Sequence, residues 1–263
     1  MVTYKMISTD NYDFEDWVTI YDKQVKIFDR KINDEWKNIF KLLLTEEQVN
    51  NIDKCLTKSL KKNIFPYPDL VFYAFNKTSP SNIKVVIIGQ DPYFNQKQIK
   101  NKCIPEAMGL SFSVPIGIPI PSSLKNIFKN LIKYGHIKEI PKHGNLKSWA
   151  TQGCLMINAA LTVEESNKNC HASVWMEFTN NIIKYISEKN KNIIFVLWGS
   201  FAFKKLDLIN TKKHKTIICS HPSGLSYSKP MGSYESFNDT DTFGIINKYL
   251  TDFGKEKINW KTQ

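Results

Sequence analysis

Four short apolar runs, separated by stretches of helical pattern, constrain the fold of this chain most strongly. They are rich in β-branched residues and lack the period-two alternation of a strand that is exposed on one face. Such runs are typical of a parallel sheet whose two faces are both covered. The runs lie at residues 85–88, 154–157, 193–197 and 217–219.

The stretches of helical pattern between the runs lie at residues 124–134, 178–188 and 201–209. Their alternation with the runs predicts an α/β fold with one open parallel sheet. The residues before the first run are rich in charge and have apolar residues at three-to-four spacing, which predicts helices that end at Pro66 and Pro68. We therefore expect a single domain over residues 1–263, with a helical N-terminal region at about 1–80 and a motif-bearing core at about 84–226.

The chain has 36 Lys and Arg residues against 25 Asp and Glu, which gives a formal net charge of +11 at pH 7. An excess of lysine attracts a polyanion such as DNA without reading its sequence. A coding sequence rich in A and T would also enrich lysine, and Arg30 is the one arginine of the chain. The charge by itself leaves both explanations open.

Membrane and secretion signals are missing from the sequence. No apolar run approaches the ~20 residues of a membrane span. The N-terminal residues, which include Asp10 and Asp13, lack the charged segment followed by an apolar segment that is typical of a signal peptide. We expect a soluble intracellular protein, nuclear or cytoplasmic according to its host, that is not secreted. The five cysteines form no Cys-x-x-Cys pair, which predicts buried free thiols and no zinc or iron–sulfur site.

Each apolar run is followed directly by a segment that is polar or contains glycine or proline. These segments lie at residues 89–93, 158–162, 198–200 and 220–226. Ligands of open α/β sheets bind at the carboxyl ends of the strands. We therefore expect the four segments to converge on one pocket.

The side chains in and near these segments suit a nucleobase and its chemistry. Asp91 is a candidate to orient or deprotonate a water, and His221 is a candidate to donate a hydrogen bond to a developing anion. An Asp-Pro turn or a single histidine is more often structural, but their joint placement with the amide of Asn158 favours function. Phe112 and Tyr93 can enclose a flat ring, so the residues predict a nucleobase pocket.

Serines and helix starts near the pocket suit phosphate groups. Free N–H groups at a helix start and nearby hydroxyls bind anions without reading base sequence. A serine at a helix start is more often a cap, but three such places beside one base pocket favour contacts with DNA. The residues are Ser123 after Pro121, Ser200 after Gly199, and Ser223 and Ser226 on either side of Leu225.

Five segments, in order between about Lys84 and Ser226, resemble the family 1 uracil-DNA glycosylases. They are Gly-Gln-Asp-Pro-Tyr at 89–93, Gly-Leu-Ser-Phe-Ser-Val at 109–114, Ile-Asn with Leu-Thr-Val at 157–163, Leu-Trp-Gly-Ser at 197–200 and His-Pro-Ser-Gly-Leu-Ser at 221–226. The resemblance implies hydrolysis of the N-glycosidic bond of uracil in DNA. It also implies a three-layer α/β/α sandwich with a central four-stranded parallel sheet, and no metal or cofactor.

The resemblance also implies roles for the residues of the pocket. Asp91 would orient the attacking water and stabilise the cationic sugar, and His221 would bind the uracil oxygen as negative charge accumulates on the leaving base. Gln90 would contact the base through its backbone. Phe112 would stack on the base, Asn158 would read its Watson–Crick edge, and Tyr93 would exclude the 5-methyl group of thymine.

The remaining implied roles concern DNA. Leu225 would enter the duplex as the nucleotide leaves it, and the serines, together with Pro121 and Gly199, would hold the DNA backbone. The serines are Ser123, Ser200, Ser223 and Ser226.

The chain departs from the family pattern at three places. Phe94 stands where the family usually has histidine, and it cannot donate a hydrogen bond. The stretch 94–108 is longer than the family's loop and carries Lys97, Lys100 and Lys102. An added phosphate contact and a merely solvent-exposed loop are equally good explanations of this stretch. Gly224 replaces the usual proline before Leu225, which makes that loop costlier to order.

Uracil-containing DNA, single- or double-stranded, is the expected partner, with replication proteins as further candidates and no membrane. We expect a monomer. A DNA-binding replication accessory with the same fold and weak or lost catalysis is the rival hypothesis, which Phe94 favours and the retention of Asp91 and His221 opposes. A related glycosylase that acts on mismatched thymine or damaged bases is disfavoured, because Tyr93 would close the pocket to a methyl group.

Overall fold

The computed structural model describes residues 12–262. The α-helices are α1 (Trp17–Ile20), α2 (Asp34–Leu43), α3 (Glu46–Ser59), α4 (Tyr73–Lys77), α5 (Ser122–Lys133), α6 (Lys147–Thr151), α7 (Ala172–Lys189), α8 (Gly199–Phe203) and α9 (Thr242–Asp252). The strands are β1 (Ile64–Phe65), β2 (Val85–Gly89), β3 (Gln96–Ile99), β4 (Lys102–Pro105), β5 (Cys154–Asn158), β6 (Val163–Glu164), β7 (Ile194–Trp198) and β8 (Lys215–Cys219). The first residues of the chain, on which the expectation about secretion signals rests, lie outside the described part.

The central sheet has four parallel strands in the order β5-β2-β7-β8. All residues of β2, β5 and β7 are buried, while β8 at the edge is partly exposed. Continuous apolar strands require cover on both faces, and helices flank this sheet. The predicted three-layer α/β/α sandwich with a four-stranded parallel sheet is confirmed.

The N-terminal region forms helices that pack beside this sheet. Asn33 caps α2 by accepting from the N–H of Glu35 at 3.0 Å, and Thr45 and Gln48 form a reciprocal cap at the start of α3. Phe40 of α2 packs edge-on against an aromatic ring of α7, with the ring centroids 4.8 Å apart. This contact fixes the helical region against the core.

Helix boundaries differ from the sequence-based expectation at several places. Helix α3 ends at Ser59, well before Pro66, because the chain turns there into the short strand β1. The helix expected at 201–209 is split into α8 and a 3-10 turn, Leu206–Leu208. Helix α9, for which no prediction was made, packs against β8.

The cysteines of the described residues are free, as predicted, but they are not all buried. Cys154 and Cys219 are buried, whereas Cys103 is exposed and the other two are half-buried. The expectation of uniform burial is wrong because Cys103 lies on β4, in a hairpin at the surface.

The long stretch after Phe94 is an antiparallel hairpin of β3 and β4. Lys97 forms an ion pair with Glu106 at 3.4 Å, and Lys102 forms one with Asp13 at 2.7 Å. Two of its three lysines are therefore engaged within the protein. Across residues 12–262, no helix is both long and apolar enough to cross a membrane.

Candidate active site

A cavity of about 320 Å³ lies at the carboxyl ends of the sheet strands, where the sequence places the pocket. Strand β2 and its following turn supply much of its lining, β5 contributes its last residue, and the loop after β8 contributes two more. Eight of the predicted site residues line the cavity: Gln90, Asp91, Tyr93, Phe112, Ser123, Asn158, His221 and Ser223.

Asp91 follows β2 and is held by the turn between β6 and α7. Its Oδ2 accepts from the backbone N–H of Asn169 at 2.9 Å. Burial raises the pKa of Asp91, while the Asn169 hydrogen bond and the charge of Lys168 act in the opposite direction. Gln90 supports the same turn, because its Nε2 donates to Asn169 Oδ1 at 2.8 Å. The carboxylate is thus partly desolvated and fixed in place.

His221 lies in the loop just after β8 and has a defined tautomer. Its Nδ1 accepts from the backbone N–H of Ser223 at 3.0 Å. Burial, with a contribution from the charge of Lys168, lowers the pKa of His221 to about 4. The ring is therefore neutral at pH 7 with its proton on Nε2, so that Nε2 can act as a hydrogen-bond donor.

Phe112 and Tyr93 form an aromatic wall of the cavity. Phe112 has a left-handed backbone, with φ of 63°, which is uncommon for a bulky residue and clusters at functional sites. Its ring lies edge-on to Trp198 at 5.3 Å and 5.8 Å from the ring of His221. Tyr93 Oη donates to the Phe112 carbonyl at 3.4 Å. The Tyr93 side chain is thus tied to the Phe112 backbone, and the Phe112 ring is held against Trp198 at the end of β7.

Asn158 is the last residue of β5 and pairs with Gly89 of β2 in the parallel register. A Cβ on Gly89 would lie 2.0 Å from Asn158 Oδ1, so only glycine leaves room for this amide. The Asn158 side chain is 9% exposed, and its residual exposure faces the cavity that it lines. A primary amide there offers one donor and one acceptor edge to a planar ligand.

Gly199 brings the start of α8 against the catalytic histidine candidate. Its φ is +85°, and a Cβ at this position would lie 2.8 Å from the Cβ of His221. Glycine is therefore required both for the backbone conformation and for the close approach. Ser200, the next residue, is exposed.

Five predicted DNA-binding residues lie outside the cavity lining: Pro121, Gly199, Ser200, Leu225 and Ser226. Pro121 immediately precedes α5, whose start has no side-chain cap. Ser226 donates its N–H to the Ser223 carbonyl at 3.0 Å, which closes a turn around Leu225. The Leu225 side chain is 84% exposed, which is unusual for a large apolar residue and places it at the surface beside the cavity mouth.

Two residues of the site escaped the sequence-based prediction. Lys168 lines the cavity, and Asn169 holds both Gln90 and Asp91. They belong to the irregular turn after β6, where no periodicity or motif marks a functional residue. The one feature of the sequence that could have indicated them is the short polar stretch around Lys168 and Asn169, but such stretches are common in surface turns.

A buried polar cluster lies behind this turn and contains the potential metal ligands Glu164, Cys170 and His171. Their donor atoms are already engaged in the protein. His171 Nε2 and Nδ1 are each 3.0 Å from a hydroxyl group, those of Ser59 and Thr162. Since the hydrogen bonds satisfy these groups, the cluster ties the turn to α3 and needs no cation.

The sheet and its cavity define an α/β protein with a pocket large enough for a nucleobase, flanked by polar loops suited to DNA. A family profile described as the uracil DNA glycosylase superfamily matches residues 75–250. The chain belongs to the uracil-DNA glycosylase superfamily.

Individual relatives agree with this assignment. The chain is 39% identical to a probable uracil-DNA glycosylase of Acanthamoeba polyphaga mimivirus, over 98% of this chain and 72% of the relative. It is 42% identical to the uracil-DNA glycosylase of Psychromonas ingrahamii, over 86% of this chain and 99% of the relative.

Solved structures agree as well. The crystal structure of mimivirus uracil-DNA glycosylase superposes with a TM-score of 0.91 at 38% identity, covering 98% of this chain and 97% of that one. A mimivirus UNG variant of similar likeness, with a TM-score of 0.91, is in complex with UGI.

Proposed function

We propose that this protein hydrolyses the N-glycosidic bond of uracil in DNA, releases free uracil and leaves an abasic site for base excision repair. The observation that carries the proposal is the pairing of a half-buried carboxylate, Asp91, with a neutral histidine, His221, on one cavity that is large enough for a nucleobase. The family assignment supports the same reaction.

The two residues divide the charges of the transition state. As the glycosidic bond breaks, the sugar gains oxocarbenium character and the base gains negative charge. The Asp91 carboxylate stabilises the cationic sugar and orients the attacking water. The low pKa of His221 keeps its ring neutral at pH 7, so its Nε2–H stabilises the negative charge on the uracil oxygen by donating a hydrogen bond. Both interactions strengthen as the charges develop, which accelerates the chemical step.

The aromatic wall and the amide provide the choice of base. Phe112 stacks on uracil, Gln90 contacts it through its backbone and Asn158 pairs with its Watson–Crick edge. Tyr93 occupies the space that a 5-methyl group would need, so thymine is rejected by a steric clash. The Tyr93 hydroxyl also donates to the Phe112 carbonyl at 3.4 Å, which helps to orient the ring, but the ring itself provides the clash.

The surface around the cavity holds the DNA. Leu225, exposed in the free protein, enters the duplex in place of the departing nucleotide, which lowers the cost of extruding the base. Four serines bind phosphates without reading sequence, and Pro121 and Gly199 shape the loops that present them. The serines are Ser123, Ser200, Ser223 and Ser226.

The remaining expectations follow from this function. The protein acts as a monomer on single- or double-stranded DNA, without a metal or cofactor, in the compartment where its host's DNA is replicated or repaired. Replication proteins are its further partners. The +11 charge supplies the salt-dependent search along DNA.

The test is the release of uracil from a defined oligonucleotide, followed by alkaline cleavage at the abasic site. Product is expected from a strand with one uracil and not from the same strand with thymine. The matched thymine strand controls for contaminating nucleases. Tight binding of the uracil strand without cleavage at high protein concentration would favour the rival function, a DNA-binding accessory without catalysis.

A further inference from the structure

Lys168 stands out among the residues that line the cavity, because it is the one lysine there and Asp91 is the one carboxylate. We propose that Lys168 binds the DNA phosphate next to the extruded nucleotide and thereby favours the extruded state over the stacked one. This assignment rests on the proposed function, since it concerns the same cavity and the same DNA.

The residues on both sides of Lys168 are anchored by hydrogen bonds. Before it, Asn167 Nδ2 donates to Glu164 Oε2 at 2.9 Å. After it, the Asn169 N–H donates to Asp91 Oδ2 at 2.9 Å, in a left-handed conformation with φ of 63°. The position of Lys168 at the cavity is therefore fixed by its two neighbours, whereas its own side chain is exposed.

The anchor at Glu164 is itself buried and strongly held. Its carboxylate accepts from Lys62 Nζ at 2.7 Å and from Ser59 Oγ at 2.8 Å. Burial would raise the pKa of Glu164, but these hydrogen bonds and that from Asn167 outweigh it and lower the pKa to about 2. The hydrogen bonds from Ser59 and Asn167 thus tie the turn that carries Lys168 to the end of α3.

The charge of Lys168 is available to a ligand. Within residues 12–262, no carboxylate lies within 4.0 Å of the Lys168 ammonium group. Its field nevertheless reaches the reacting groups, because it acts on the pKa values of both Asp91 and His221. An unneutralised cation that lines the cavity with Asp91 would oppose an oxocarbenium ion forming beside that carboxylate, whereas a backbone phosphate would neutralise the cation. The partner that fits this lysine is therefore a phosphate.

The neighbouring Phe94 explains why a cation is useful here. Phe94 lines the same cavity, and its carbonyl accepts from the N–H of Ser166, in the turn that carries Lys168, at 2.9 Å. The family pattern has histidine at the position of Phe94, and phenylalanine offers no donor. Lys168 supplies a charged donor at this side of the cavity from a different element of the chain.

The test compares the binding of two duplexes that differ at one position, where one has thymine and the other a tetrahydrofuran abasic analogue, which has no base to stack. Replacement of Lys168 by alanine is expected to weaken binding of the abasic duplex about tenfold, which corresponds to about 1.4 kcal/mol, and that of the thymine duplex less than about twofold. The slope of log K against log salt for the abasic duplex should fall by about 0.9, the loss of one phosphate contact.

Three further variants complete the experiment. Lys168→Arg should bind like the wild type, since it keeps the charge. Lys212→Ala removes an exposed lysine from the turn before β8, away from the cavity, and should also bind like the wild type. Adding Phe94→His to Lys168→Ala should recover part of the lost affinity, because it restores a donor.

Equal losses on both duplexes would overturn the assignment, since the lysine would then act as a general electrostatic attractor. Unchanged affinity and salt slope would overturn it as well. Uracil release by the wild type is measured in parallel. Absence of that release would defeat the proposed function, whereas normal release together with an unaffected Lys168→Ala variant would defeat only the role of Lys168.

Discussion

Asn158 lies directly across from Gly89 in the parallel pair of β2 and β5, and its Oδ1 occupies the space that a Cβ on Gly89 would fill, 2.0 Å away. The sheet register therefore positions the amide that is proposed to read the base. A specificity residue placed by hydrogen-bonded strands is held more rigidly than one on a free loop.

Gly89→Ala should displace the Asn158 amide. We expect uracil release to fall at least about tenfold and the free energy of unfolding to fall by about 1–3 kcal/mol, the usual cost of overpacking. Steady-state kinetics and urea denaturation measure the two effects. Gly224→Ala, where nothing lies within 4 Å of the added Cβ, is the control for stability. Full activity of Gly89→Ala would show that the Asn158 position is not critical.

Asp91→Asn should lower the rate of uracil release by about two to four orders of magnitude, the range for a positioned acid or base. Affinity for uracil DNA should change little, because the lost interaction develops only in the transition state. Single-turnover rates and binding titrations separate these quantities. Asp207→Asn, at an exposed position of the 3-10 turn Leu206–Leu208, should behave like the wild type. Equal losses in rate and affinity would contradict the proposed role of Asp91.

Tyr93→Ala should allow the release of thymine, because it opens the space for a 5-methyl group. Tyr93→Phe is the matched control: it keeps the ring, loses only the hydrogen bond to the Phe112 carbonyl and should remain specific for uracil. The measurement is the ratio of thymine release to uracil release from oligonucleotides that are otherwise identical. Strict uracil specificity in Tyr93→Ala would mean that another group excludes the methyl.

The low pKa of His221 makes stability depend on pH. In the folded protein it is about 4, below the ~6.5 of an unfolded histidine. The unfolded state therefore binds more protons between these values, and the histidine's contribution to stability is present above about pH 6.5 and is lost as the pH falls toward 4. The loss is at most about 3 kcal/mol at ~1.4 kcal/mol per pKa unit, and partial exposure of the ring reduces it.

His221→Gln isolates this effect, since glutamine does not titrate. Urea denaturation of both proteins between pH 7 and pH 4 should show the wild type losing stability relative to the variant as the pH falls. A difference that is independent of pH would mean that His221 has an ordinary pKa in the folded protein.

Leu225→Ala should lower uracil release from duplex DNA about tenfold and from single-stranded DNA much less, because only the duplex loses stacking when the base is extruded. The thermal midpoint should not change, since the side chain is 84% exposed. Gly224→Pro, which stiffens the same loop, should raise the duplex rate. Equal effects of Leu225→Ala on both substrates would argue against insertion into the duplex.

The local pattern of the sequence was sufficient for the sheet. A continuous run of apolar β-branched residues, such as that in β2, needs cover on both faces of the sheet, so it predicts a buried parallel strand. Because parallel strands end at the same edge of the sheet, the segments after them had to meet there. The prediction of an N-terminal helix succeeded at α2, because its apolar residues recur at a spacing that places them on one face. The helical prediction failed at 201–209 because the tertiary structure breaks that stretch into two short pieces.

The composition of the cavity was only partly contained in the sequence. Asp91, Asn158 and His221 lie at or just after the ends of strands and could be named from that position together with the chemistry of their side chains. Lys168 and Asn169 could not, because their turn is held at the cavity by the hydrogen bonds of Asn169 to Gln90 and Asp91, which lie far away in the chain. Local sequence thus determined the strands and the residues at their ends, whereas only the tertiary structure decided which turn completes the site, because non-local contacts of the folded chain place that turn.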